Sequence, residues 1–116
     1  MAALVPVLVL AAALVGCSVD AGVSRTLGAR CDSADECDDR CLRTPAATFP
    51  GGFCSVSCEA SGECQGGATC IDVVGGVCLF DCVDDLGCAF LGEGWGCFEL
   101  PLREDAERRV RACLGG

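Results

Sequence analysis

The chain has 116 residues, a net charge of −9 and thirteen cysteines, with no histidine, and all eight of its basic residues are arginines. Without histidine or lysine there is no ready general base for a Ser or Cys nucleophile, and the acidic balance disfavours nucleic acid and anionic lipid surfaces as partners. Five Phe, one Trp and no Tyr beside sixteen Gly are too few large apolar groups for a conventional core, so cross-links must compensate.

Residues 2–15 carry no polar side chain. The run is shorter than the roughly 18 to 20 apolar residues of a spanning helix and reads as the apolar region of a signal peptide. Only the N-terminal amine supplies positive charge ahead of it, as expected if translation starts further upstream. The run closes on Leu14-Val15-Gly16-Cys17, which resembles the lipobox of bacterial lipoprotein precursors. The resemblance implies cleavage before Cys17, a diacylglycerol on its thiol and acylation of the new amine. Residues 1–16 are therefore expected to be a lipoprotein signal peptide, and residues 17–30 the lipidated cysteine with a flexible tether. Ser18, where an Asp would signal retention in the inner membrane, implies the outer membrane by the same resemblance. The alternative is an ordinary secretory peptide cut after Ala21, which would discard Cys17.

Beyond the tether the cysteines fall into sets of four. Cys31, Cys37, Cys41 and Cys54 are followed by Cys58, Cys64, Cys70 and Cys78, and then by Cys82, Cys88, Cys97 and Cys113. Five residues separate the first two cysteines of every set, and three separate one set from the next. Gly51-Gly52-Phe53-Cys54 and Gly75-Gly76-Val77-Cys78 also match, so the spacing reads as an internal repeat. In the second set, apolar and β-branched runs flank Gly75-Gly76, which signals a β-hairpin. The first set has the same plan with a longer loop. In the third, Leu102 to Leu114 carries Glu104 with Arg108, Asp105 with Arg109 and Glu107 with Arg111 at i, i+4, the pattern of a short capping helix.

The fold expected is small and disulfide-rich: three four-cysteine modules at 31–54, 58–78 and 82–113, within a repeat domain over 31–116, with short β-hairpins and loops and a short C-terminal α-helix. Four cysteines allow three connectivities. Local bridges from first to third and second to fourth, such as Cys58 with Cys70 and Cys64 with Cys78, are the ones expected. The C-x5-C and Gly-Gly-x-C-x3-C spacing over residues 31–97 resembles cysteine-rich repeats in secreted and lipid-anchored proteins of large-genome Gram-negative bacteria. More loosely it is similar to the N-terminal cysteine-rich region of the Dickkopf family. It brings no functional residues to transfer.

No C-x2-C pair occurs, so neither a thiolate metal site nor a thiol oxidoreductase is expected. Calcium is the one ion with locally dense ligands, at Asp32, Asp35, Glu36, Asp38 and Asp39 and again at Asp81, Asp84 and Asp85. There is no regular calcium loop, and a solvated acidic turn accounts equally for the cluster; no cofactor is assigned. Leu42 to Pro50, with Arg43 and Phe49 near prolines, offers the alternative of a protease-inhibitor loop. Phe90, Trp95 and Phe98 are the candidate contacts of a partner, unless they instead cover the disulfides as core. The function expected is that of an outer-membrane lipoprotein, held by its N-terminal lipid, with a non-catalytic domain for binding, adhesion or envelope structure. Its partner is an unspecified protein or glycan.

Overall fold

The structure, a computed structural model, describes residues 23–116; the signal peptide and Cys17 lie outside the described residues. All twelve other cysteines are paired, as Cys31–Cys41, Cys37–Cys54, Cys58–Cys70, Cys64–Cys78, Cys82–Cys97 and Cys88–Cys113. In each set the first cysteine meets the third and the second meets the fourth.

Around those bridges the backbone repeats in detail. A 3-10 turn begins three residues after the first cysteine of each set, at Ala34–Glu36, Ser61–Glu63 and Asp85–Leu91. Two strands then carry the third and fourth cysteines. In the first set these are β1 (Arg40–Leu42) and β2 (Phe53–Ser55), in the second β3 (Ala68–Ile71) and β4 (Val77–Phe80), in the third β5 (Trp95–Leu102) and β6 (Asp105–Gly115). The third and fourth cysteines stand opposite each other in every antiparallel pair: Cys41 with Cys54, Cys70 with Cys78, Cys97 with Cys113. The segment before each set also joins its last strand. The amide of Cys54 donates to Ala29 and that of Cys78 to Val56, at 2.9 and 3.2 Å.

The paired glycines have one job in both sets that contain them. Gly52 and Gly76 lie at φ 81° and 99°, which L side chains rarely adopt. A Cβ on Gly52 would collide with the carbonyl of Cys31, and one on Gly76 with that of Cys58. The turn is thereby pressed onto the start of its own set. The second hairpin is looser than a two-residue turn: residues 72–76 separate the strands, and Val74 also has positive φ, at 39°.

β1 and β2 form a two-stranded sheet, whereas the other strands form a single sheet in the order β4-β3-β5-β6. This larger sheet mixes strands of the second and third sets, through Ile71 opposite Leu102. It curls until its ends meet, since Asp81, just past β4, bridges Ala112 of β6.

A set of some twenty residues cannot bury a core by itself, and here the sets share one. Leu27, Phe49 and Phe53 from the first part of the chain pack in the same cluster as Ile71, Leu79 and Phe80, and as Leu91, Trp95 and Ala112. Phe53 lies 5.0 Å from the Trp95 ring and 6.2 Å, edge-on, from Phe80. Each such large side chain contributes about 1.5–3 kcal/mol on burial. Between sets, the fully buried Ser55 hydroxyl donates to the Cys78 carbonyl at 2.7 Å.

Two expectations are corrected. The tether does not run to residue 30: Gly28 donates to Cys54 and Ala29 accepts from it, and Leu27 is only 1% exposed. In place of the capping helix over Leu102–Leu114 stand the last residue of β5, the turn at Arg103 and Glu104, and strand β6. Helical i, i+4 ion pairs contribute only a few tenths of a kcal/mol each. The strand gives Cys113 and Ala112 full burial and sets Glu99 opposite Arg111. The hairpin's register breaks between Pro101 and Leu102, so the charged stretch Ala106 to Arg108 lies outside the regular ladder.

Candidate functional site

Among the described residues, three groups of cysteine sulfurs lie within 4.8 Å of one another: Cys31, Cys37 and Cys41; Cys58, Cys64 and Cys78; Cys82, Cys88 and Cys113. This spacing would suit a metal if the sulfurs were thiolates. Every one of them is in a disulfide, so the closeness reflects two bridges side by side in each set.

The acidic residues that crowd the first loops are largely occupied by the backbone. The Glu36 carboxylate accepts from the Asp32 amide at 2.7 Å, and the Glu63 carboxylate from the Glu59 amide at 2.9 Å. These are equivalent positions of two sets, and both satisfy an amide just ahead of the 3-10 turn. In the third set Gly87 takes the place of the glutamate, and Asp84 caps the turn through the Gly87 amide at 3.2 Å. Asp85 accepts from the Cys97 amide at 2.8 Å and Asp39 from the Ser57 amide at 3.0 Å. Asp81 receives the Thr69 hydroxyl. The Ser33 hydroxyl holds the Asp35 carboxyl below its ordinary range. The Thr26 hydroxyl, aided by Arg25, does the same for Asp38. The density of carboxylates near Cys37 and Cys82 therefore has a structural account.

Arginines join the sets. Arg103, at the turn between β5 and β6, pairs with Asp72 at 2.8 Å and Glu59 at 3.1 Å, and these contacts raise its already high pKa, Asp72 most. Arg40 reaches the Ser57 hydroxyl at 3.2 Å, and Arg30 the Leu91 carbonyl at 3.5 Å.

Leu42 to Pro50 is folded back rather than extended. Thr48 and Phe49 donate to the Pro45 carbonyl, Phe49 is buried in the shared core, and Arg43 donates to the Asp32 carbonyl at 3.2 Å. Thr48 in turn accepts from Gly115. Of the two side chains that suited a protease, one is core and the other is exposed but tied to the first loop.

The aromatic candidates separate. Trp95 is 8% exposed, and its indole donates to the Pro50 carbonyl at 3.2 Å. Flanking glycines do not push it outward, because the shared core needs its area and Pro50 supplies an acceptor. Phe90, 54% exposed, lies 5.2 Å from the Phe80 ring, and Phe98 is partly exposed beside Gly96 and Gly116. Two residues absent from the sequence-based candidates are more exposed: Val83 and Leu86, each at 83%. Their signal was available by aligning the sets. Val83 and Leu86 stand where the first set has Asp32 and Asp35, and the second Glu59 and Gly62.

Comparison of the chain with protein-family models, with curated proteins and with solved structures finds no match.

Proposed function

We propose that the chain is an extracytoplasmic lipoprotein of the bacterial outer membrane, anchored through Cys17, whose three four-cysteine modules are copies of one unit and act together as a non-catalytic binding, adhesion or envelope-structural element. The observation that carries this reading is the pairing of all twelve cysteines from Cys31 to Cys113 in local bridges. Such a framework belongs in an oxidising compartment, and it leaves none of those thiols free for nucleophilic or metal chemistry. Copying of one unit is supported by the recurring 3-10 turns, the equivalent caps of Glu36 and Glu63, and the shared role of Gly52 and Gly76. Anchorage is supported by the lipobox-like Leu14-Val15-Gly16-Cys17. The carboxylates' engagement with local amides supports a scaffold rather than a catalytic dyad.

Expression of the full chain and its Cys17→Ser variant in a Gram-negative host tests the anchor. The parent chain should incorporate labelled palmitate and sediment with outer membranes, and the variant should do neither. Equal membrane retention of both would overturn the reading.

A further inference from the structure

We propose that Val83, Leu86 and Phe90 form a face that seats the domain on the uncharged interfacial layer of the bilayer. The proposal rests on the reading of Cys17 as the lipid anchor. The 3-10 turn Asp85–Leu91 has about three residues per turn, so its buried Cys88 and Leu91 share one side. The two other sides face solvent and carry Leu86 with Ala89 and Gly87 with Phe90, and Val83 is exposed just ahead of the extended N-cap Asp84. In the other sets the positions of Val83, Leu86 and Phe90 hold acids or glycine, so large apolar side chains are exposed around this turn in the third set alone. Large apolar side chains exposed together, rather than singly, mark a contact surface.

The anchor fixes what that surface meets. The described chain begins at Val23, whose backbone lies 3.5 Å from the Cβ position of Gly28. That position is 2.8 Å from the Phe80 ring, and Phe80 packs edge-on against Phe90. The path from the anchor thus enters the domain next to the apolar face. From Cys17 to Val23 the chain reaches about 20 Å at full extension, so a lipid on Cys17 keeps this end of the domain within that distance of the membrane. The adjoining carboxylates of Asp84 and Asp85 accept from the Gly87 and Cys97 amides. With the overall negative charge, they point to a zwitterionic rather than an anionic surface. Short apolar and aromatic side chains of this kind sit about 5–10 Å into the headgroup and acyl boundary.

The full chain, processed in a Gram-negative host and reconstituted into phosphatidylcholine vesicles with brominated acyl chains, gives the test. Parent Trp95 is buried and serves as the unquenched background. In Leu86→Trp the added emission should fall about twofold or more relative to plain vesicles, as for an indole at that depth, and Val83→Trp should behave alike. Vesicle flotation without quenching in either variant overturns the docking face and leaves the anchor standing. Flotation without quenching but with a dimer in sedimentation assigns the face to a second copy and likewise overturns the proposal. Failure to float removes anchor and docking face together.

Discussion

Residues 58–78 and residues 82–113 close the same two bridges around different material. In the second set a five-residue turn ending in Gly75-Gly76 joins short strands, and the second glycine presses on Cys58. In the third set no such glycine pair exists, and the long hairpin of β5 and β6 takes its place. The register of third opposite fourth cysteine survives this exchange. So does the contact between the start of a set and its last strand: Cys58 donates to Gly76 at 3.0 Å and Cys82 to Arg111 at 3.2 Å. The bridges and their immediate strands therefore define the frame. The connections between them are free to carry other content, a glutamate cap in one set, and an aspartate cap with exposed apolar side chains around its turn in the other.

The largest effect should come from the bridges themselves. Cys88–Cys113 spans 25 residues and Cys58–Cys70 spans 12. By chain entropy, replacing both cysteines with alanine should cost about 3.5 kcal/mol in the third set and about 2.8 kcal/mol in the second. Urea unfolding of the oxidised proteins measures both. A larger loss in the second set would show that the shared sheet, not loop length, decides the balance.

Next in size, Gly76→Ala should lose about 2–3 kcal/mol from its positive φ and the collision with Cys58. Gly62→Ala, where a Cβ meets nothing within 4 Å, should be neutral or stabilising by up to about 1 kcal/mol. The same unfolding curves decide whether the paired glycine is as constrained as its contacts require. Trp95→Phe should cost about 1–2 kcal/mol through the lost hydrogen bond to Pro50 and the smaller ring. The parent's emission should be blue-shifted and resist acrylamide; a red, readily quenched indole would detach the third set from the common core.

Removing a cap should matter less and equally in the two sets. Glu63→Ala and Asp84→Ala should each lose about 1 kcal/mol, read by faster amide exchange at Glu59 and Gly87 respectively. Unequal losses would mean that the two kinds of cap are not interchangeable. The smallest effect lies in the first set. The carboxyl of Asp38 titrates below its ordinary value of 3.8, so its contribution is complete above that value and is lost as pH falls through the lower folded one. Protection of the Leu27 and Gly28 amides should decline on acidification through that window, and Asp38→Asn should remove the pH dependence. An unchanged profile would exclude Asp38 as the tie that holds residues 24–28.

The spacing of the cysteines made the sets and the second hairpin legible, but it left three pairings open in each set, and the one expected was a choice among them that spacing alone does not decide. Strand β6 was harder to see. Arg109-Val110-Arg111-Ala112-Cys113-Leu114 alternates as a strand should, but its acids and arginines also sit at i, i+4, and the stronger-looking charge pattern carries the smaller energy. Burial of Trp95 depends on Pro50 and Phe53, forty-odd residues away in sequence, and no local signal reports that. Residues 24–30 look like a tether because their one large apolar side chain, Leu27, is isolated in sequence and finds its core only through the strand of Cys54. The exposed Val83 and Leu86 were readable, though only by laying one set over another.

The placement of the bridges also bears on survival among proteases. Every residue from Cys31 to Cys54, from Cys58 to Cys78 and from Cys82 to Cys113 is enclosed by at least one disulfide loop. A single cut inside any of them opens the backbone without parting the pieces. Between Cys31 and Cys113 the unenclosed residues are 55–57 and 79–81, where Ser55, Leu79 and Phe80 are buried and Ser57 and Asp81 are exposed. A trypsin-like enzyme, confined to arginine in a chain without lysine, can nick the exposed β5–β6 turn repeatedly and detach little more than its tip, whereas a cut at the exposed Arg25 or Arg30, ahead of the first bridge, parts the domain from the segment before it. From Cys31 to Cys113 a single cut can therefore divide the chain at two three-residue links alone, and the bridges hold the pieces together everywhere else in that span.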